Sequence, residues 1–219
     1  MYTIIRRNYP NIGVSWHGIR KIYEKCEWLN APPKRKAQPQ QRCRYQAVYP
    51  NQIWHVDIHI WSKYTGLYIF GVIDDRSRFL IGLSLISKKN SASTSKELEK
   101  MFIQYGIPGA IWSDNGGENI GKKTIDLLKK YNVRLIRTSP YNPEQNGKIE
   151  RLWRSLEKMT TTNLNSIEIF RNNYNNYIPH SAFKHQTPSD VYYGIRHFKP
   201  SDSFEIDELV NNQIIRKTI

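Results

Sequence analysis

From residue 50 onward the chain switches between apolar periods of two and apolar periods near four. IWHVDIHIW (53–61) alternates, with Trp54, Val56, Ile58 and Ile60 on one side and His55, Asp57 and His59 on the other. That period predicts a strand. LYIFGVID (67–74) follows a Thr65–Gly66 turn, and RFLIGLSLIS (78–87) follows a turn over 74–77. Three strands joined by such short turns are antiparallel neighbours. Residues 93–105 have helical spacing, with Leu98, Met101 and Phe102 on one side, and Gly106–Pro108 ends the run. GAIWSD (109–114) predicts a fourth strand, 122–131 a helix and VRLIRT (133–138) a fifth strand. A long helix is expected from about 144, its core stripe formed by Ile149, Leu152, Trp153, Leu156 and Met159. The order βββαβαβ, then a helix, predicts an α/β fold. Its five-stranded mixed sheet has an antiparallel half and a parallel half, flanked by helices.

The first fifty residues read differently. SWHGIRKIYEKCEWL (15–29) has Trp16, Ile19, Ile22, Tyr23 and Cys26 at helical spacing, with Ser15 as cap. Proline and charge then break the period. The expected division is a short helical segment over 1–30, a basic linker over 31–49, a core over 50–195 and a tail over 196–219. Charge sharpens this division. The net charge is +14, and residues 1–49 hold ten Lys or Arg against two Glu, so the first fifth supplies more than half of the excess. Such density, interleaved with Trp and Tyr, points to nucleic acid, with Lys34, Arg35 and Lys36 as candidate contacts. Two cysteines, Cys26 and Cys43, make neither a disulfide framework nor a zinc spacing. No apolar run approaches the ~20 residues of a membrane span. A soluble intracellular protein is expected, in the nucleus or the cytoplasm according to host.

Three acids stand out by position. Asp57 lies near the middle of the first strand, Asp114 at the carboxyl end of the fourth, where open α/β sheets place their ligand sites, and Glu150 on the helix after the fifth. With the first and fourth strands adjacent, Asp57 and Asp114 stand side by side and the helix carries Glu150 over them. Converging carboxylates repel unless a cation sits between them. Hard oxygen ligands suit Mg²⁺ or Mn²⁺. Two such ions roughly 3.5–4 Å apart are the usual clamp for phosphodiester chemistry.

The segments IWHVD (53–57), VIDDRSRF (72–79), WSDNGGEN (112–119), SPYNPEQNGKIERLWRSLE (139–157) and YNNYIPHSAFKHQTPSDVYYG (174–194) occur in that order, with thirty-five residues between Asp114 and Glu150. In these segments the chain resembles the catalytic core of DDE transposases and retroviral-type integrases, of the RNase H-like fold, over about residues 50–194. The resemblance implies Asp57, Asp114 and Glu150 as metal ligands in DNA cleavage and strand transfer. It implies DNA as partner, with Asn146, Lys148, Arg151 and Arg154 among the contacts. It also implies a homodimer or higher assembly and no organic cofactor. The His/His/Cys/Cys zinc module of retroviral integrases is not matched. The N-terminus is instead similar to part of the helix-turn-helix region of insertion-sequence transposases, and the region after 195 is short for an SH3-like domain. A nuclease on the same fold, or a non-catalytic DNA-binding protein derived from a mobile element, are the alternatives.

Other residues have plainer readings. Asp74 and Asp75 read as turn formers beside Arg76 and Ser77. Glu118 reads as a loop acid or helix-start residue, and His55 and His59 as packing or supporting groups beside Asp57. Gly116 and Gly117 are expected to allow a positive φ. His180 reads as a packing, capping or DNA-contacting residue, and Thr187–Pro188 as a helix cap with proline in the first turn. Asn142, Pro143 and Gln145 supply start signals for the long helix, and Gly147 is expected to loosen the segment before Glu150.

Overall fold

The computed structural model describes residues 4–5, 8–9, 11–26, 46–63, 65–138, 147–183 and 186–195. Most of the expected basic linker, with Lys34, Arg35 and Lys36, residues 139–146, with Asn142, Pro143, Gln145 and Asn146, and the expected tail lie outside these residues.

Helix α1, Trp16–Lys25, starts where Ser15 accepts a hydrogen bond from the Gly18 backbone N–H at 3.0 Å. Of its expected apolar stripe only Ile19 is buried; Trp16 and Ile22 are exposed. The end of the expected linker is packed against the turn at 75–76. The Ala47 N–H donates to Asp75 Oδ2 at 2.6 Å, and Gln46 Nε2 donates to the Arg76 carbonyl at 2.7 Å.

The sheet holds β1 (Ile53–Ile60), β2 (Tyr68–Asp74), β3 (Leu80–Ile86), β4 (Ala110–Ser113) and β5 (Arg134–Arg137), in the order β3-β2-β1-β4-β5. β1–β2 and β2–β3 are antiparallel; β1–β4 and β4–β5 are parallel. This is the mixed five-stranded sheet expected, with the first and fourth strands adjacent. Between β3 and β4 runs α2, Ser91–Tyr105, capped by Asn90 and ended at Gly106 with φ 91°. Then come α3 (Gly117–Ile120), α4 (Lys122–Lys130), α5 (Gly147–Met159), α6 (Asn165–Asn176) and α7 (Pro188–Tyr192). Thr187 and Asp190 form a full capping box at α7, with Pro188 in its first turn.

Alternation along β1 sends its side chains to two different cores. Trp54, Val56 and Ile58 join Phe70, Val72 and Ile81 under α2 and α4, where Leu98, Met101, Phe102, Leu127 and Leu128 close the layer. On the other face Trp61, Ile69, Ile73 and Leu80 meet Ile149, Leu152, Trp153 and Leu156 of α5 and Ile167, Phe170 and Tyr174 of α6. Two corrections follow. Met159 leaves the predicted stripe of α5 and is exposed, because it is the last residue of the helix. Helix α6 was not anticipated. Its Asn175 pairs with the edge strand like another strand would, Oδ1 accepting from Leu80 N–H at 2.8 Å and Nδ2 donating to the Leu80 carbonyl at 3.0 Å.

Candidate active site

The parallel ladder of β1 and β4 pairs Ile53 with Ala110, Trp54 with Ile111 and His55 with Trp112. Continuing that register by two residues puts Asp57 level with Asp114 on neighbouring strands. Asp57 Oδ1 accepts from the Ile58 N–H at 2.8 Å, and Oδ2 from Trp153 Nε1–H at 2.8 Å. Burial pushes the Asp57 carboxyl above the ordinary carboxylate range. The Trp153 and Ile58 donors oppose the rise, the Asp114 charge adds to it and the Lys89 charge offsets it. Asp114 Oδ1 accepts from the Gly116 N–H at 2.9 Å and from Asn119 Nδ2 at 2.8 Å.

Glu118 belongs to the same surroundings. It is buried in the first turn of α3, and its Oε1 lies 3.0 Å from Lys89 Nζ. The Glu118 hydrogen bond is the main cause that raises the Lys89 pKa, and the charges of Glu118, Asp114 and Asp57 add to it. Lys89 therefore answers to all three acids. The Gly116–Gly117 pair is not there for a positive φ: Gly116 has φ −58°. A Cβ on Gly116 would come within 2.6 Å of Glu118 Oε1 and 3.0 Å of Asp114 Oδ1. The glycine makes room for carboxylates.

Glu150 stands apart. It lies in the first turn of α5 and is exposed. It sits three residues before Trp153, about 4.5 Å along the helix axis. Among the described residues, no three His, Cys, Asp or Glu side chains are gathered closely enough to hold a metal ion. The structure brings two of the three expected carboxylates together and leaves the third on the helix that passes over them. The donor chemistry of the pair still fits a hard divalent cation: only carboxylate oxygens are offered. The nearby imidazoles are committed elsewhere, His55 to Asp75 at 2.6 Å and His59 to Glu157 at 2.8 Å.

The remaining α5 residues divide. Arg151 and Arg154 are exposed. Lys148, a candidate DNA contact, instead places its ammonium on Asp75, which is fully buried and also bonds His55. Burial alone would raise the Asp75 pKa. The Lys148 charge and the His55 hydrogen bond outweigh it and hold the carboxyl well below the usual range. Burial lowers Lys148 in turn, with Asp75 opposing. Asp74, next to it and equally buried, is pushed up to about 6 by burial, against the donors Ser77 and Asn51. The pair read from sequence as turn formers is buried: Asp74 does accept from the Ser77 N–H at 2.8 Å within the turn, and Asp75 is an anchor for His55 and Lys148. No sequence period marks it, because the partner Lys148 is seventy-three residues away. His180 packs on Phe183, and its Nδ1 accepts from the Ala182 N–H at 3.2 Å.

The integrase core domain family matches this chain over residues 44–175. Among curated proteins, the Gag-Pro-Pol polyprotein of Mason-Pfizer monkey virus is 30% identical over 113 residues, which is 51% of this chain and 6% of the polyprotein. The Gag-Pol polyprotein of feline leukemia virus is 26% identical over 168 residues, 74% of this chain and 10% of that one. The chain thus spans a small part of the relatives it matches. Among solved structures, the simian T-cell lymphotropic virus intasome in complex with PP2A regulatory subunit B56 gamma aligns with TM-score 0.65 at 19% identity, over 88% of this chain and 72% of that one. The HTLV-2 integrase catalytic core domain in complex with magnesium (trimeric form) aligns with TM-score 0.57 at 18% identity, over 67% of this chain and 99% of that one.

Proposed function

Because the chain belongs to the integrase core domain family, we propose that it is a metal-dependent polynucleotidyl transferase that cleaves DNA and joins strand ends, with Asp57, Asp114 and Glu150 as its catalytic carboxylates. One observation carries the reading: the β1–β4 register stands Asp57 beside Asp114, with Lys89 answering their charge. Bound Mg²⁺ or Mn²⁺, as two ions, supplies the positive charge and the activation of an attacking water or 3′-hydroxyl that in-line phosphodiester chemistry needs. Asp57 and Asp114 hold the cations from the sheet, and Glu150 completes the set from the first turn of α5.

The exposed guanidiniums of Arg151, next to Glu150, and Arg154, about one turn beyond it, suit DNA phosphates. Lys148 serves the same contact indirectly, by tying the start of α5 to Asp75. Lys34, Arg35, Lys36 and Asn146 complete the proposed DNA contacts. Binding through phosphates makes affinity fall steeply with salt. The relatives' integrase structures include dimeric and trimeric forms and an intasome, so an assembly of several copies on DNA ends is part of the proposal.

The test is Mn²⁺-dependent cleavage and joining of an oligonucleotide end, wild type against Asp57→Asn, Asp114→Asn and Glu150→Gln. All three variants should lose both steps while keeping the fold. Full activity in Glu150→Gln removes Glu150 from the set, and nicking without joining by wild type makes the protein a nuclease.

A further inference from the structure

We propose that Trp153 is a positioning residue: its indole N–H orients the Asp57 carboxylate for divalent-cation binding, and His59 and Glu157 hold the indole for that task. This rests on the reading of Asp57 as a metal ligand.

The arrangement is built from several independent pieces. Trp153 Nε1–H reaches Asp57 Oδ2 at 2.8 Å while the Ile58 N–H takes Oδ1 at the same distance. Each oxygen has two lone pairs. One on each is thus spent on a fixed donor, and the direction of the other follows. The carboxylate cannot rotate without breaking both bonds. Across the β1–β2 ladder the residue paired with Asp57 is Gly71. A Cβ there would lie 2.2 Å from Trp153 Cη2. The glycine lets the ring lie flat on the sheet beside the acid. His59, two residues further along β1 on the same face, stacks on the indole with centroids 5.0 Å apart and planes at 11°. Glu157, one turn further along α5, fixes that imidazole at 2.8 Å and also accepts from Ser62 Oγ–H at 2.6 Å.

Packing alone does not require this. An apolar side chain could cover Gly71 without offering an N–H, and a buried indole N–H can be satisfied by any backbone carbonyl. Here it is spent on the carboxylate. Groups that hydrogen-bond a metal ligand typically change metal affinity 10–100-fold when removed.

The test is calorimetric titration of Mn²⁺ onto the DNA-free chain. Trp153→Phe drops the N–H and shortens the ring; while still unfolding cooperatively in EDTA, it should bind Mn²⁺ at least tenfold more weakly. His59→Leu, which removes the stacked imidazole, should weaken binding less. Wild-type affinity in a folded Trp153→Phe chain overturns the proposal. A second measurement needs no variant: in the ¹⁵N-labelled wild type, the Trp153 indole N–H resonance should shift as Mg²⁺ saturates, and a stationary resonance overturns it. Asp57→Asn separates the two levels. If it binds Mn²⁺ like wild type, or if wild type binds none, the assignment of Asp57 fails and this proposal with it. If only wild type binds and Trp153→Phe equals it, the positioning role alone fails.

Discussion

The two faces of this sheet are both buried, and they are buried in different ways. Under α2 and α4, Val56, Ile58, Phe70, Val72 and Leu98 form a layer of apolar side chains, and Trp54 adds one polar contact, its Nε1–H donating to Asn51 Oδ1 at 2.9 Å. Under α5 and α6 the apolar layer of Ile69, Ile73, Leu80, Leu152 and Leu156 is threaded by His55, Asp57, His59, Asp75 and Lys148. Each of these polar groups meets a partner. Consecutive residues of one strand thus enter opposite regimes. On the first face any well-fitting hydrophobe serves, whereas on the second a side chain is tolerated only with its partner present. Chemistry can reside only on the second.

The largest test of that contrast removes a charge. Asp75→Asn strands Lys148 in a buried site and should cost roughly 3–5 kcal/mol by urea unfolding. The double change Asp75→Asn with Lys148→Met, which keeps a polar partner for the Ala47 N–H and His55 while removing the stranded charge, should return part of that loss. If Asp75→Asn unfolds at the wild-type urea midpoint, the second face is held by area like the first.

Acid is the next probe. His180 lies near Arg78 and Arg151 on the α5 side, and burial lowers its pKa from 6.5 to about 4, with those two charges adding. The unfolded chain therefore binds the extra proton between those values. The stability this group contributes is complete above pH 6.5 and is lost as pH falls through about 4. The loss should reach up to about 3 kcal/mol, and His180→Asn, which keeps an acceptor for the Ala182 N–H, should flatten that part of the profile. A stability curve equally steep in His180→Asn assigns the acid sensitivity to other groups.

The smallest test compares glycines. A Cβ at Gly71 meets the rigid Trp153 ring at 2.2 Å, and one at Gly82 meets Met101 Cε at 2.2 Å on the other face. Gly71→Ala should cost about 1–3 kcal/mol. Gly82→Ala should cost less, because a methionine has three rotatable bonds with which to move aside. Equal thermal shifts would show that the polar face yields as readily as the apolar one.

Much of the fold was legible in the sequence. The alternation in 53–61 and the short turns after it specify three antiparallel strands. Asp57 and Asp114 could be set side by side once the first and fourth strands were neighbours. What stayed hidden depends on partners far along the chain. Asp75 looked like a turn acid because His55 and Lys148 reach it only after folding. Trp153 looked like one more member of an apolar stripe, since periodicity reports that a face is buried and not which atom its N–H meets. Gly71 read as an ordinary strand residue, although a glycine inside a strand is itself a signal of close approach. Helix α6 was missed because NSIEIFRNNYNN is rich in asparagine, a poor helix former. Its Ile167, Phe170 and Tyr174 carried the period that could have revealed it.

The β1–β4 ladder works as a ruler. Strands stand about 4.8 Å apart whatever their sequence, so the spacing of Asp57 and Asp114 is metered by backbone and owes nothing to the length of any connection. Residues inserted at Thr65–Gly66 or after Gly106 leave the reading unchanged. One residue deleted inside β4 turns Asp114 to the opposite side of the sheet. Descendants of this chain are accordingly at liberty to remodel their connections widely, while four residues of one short strand are not open to any change of length.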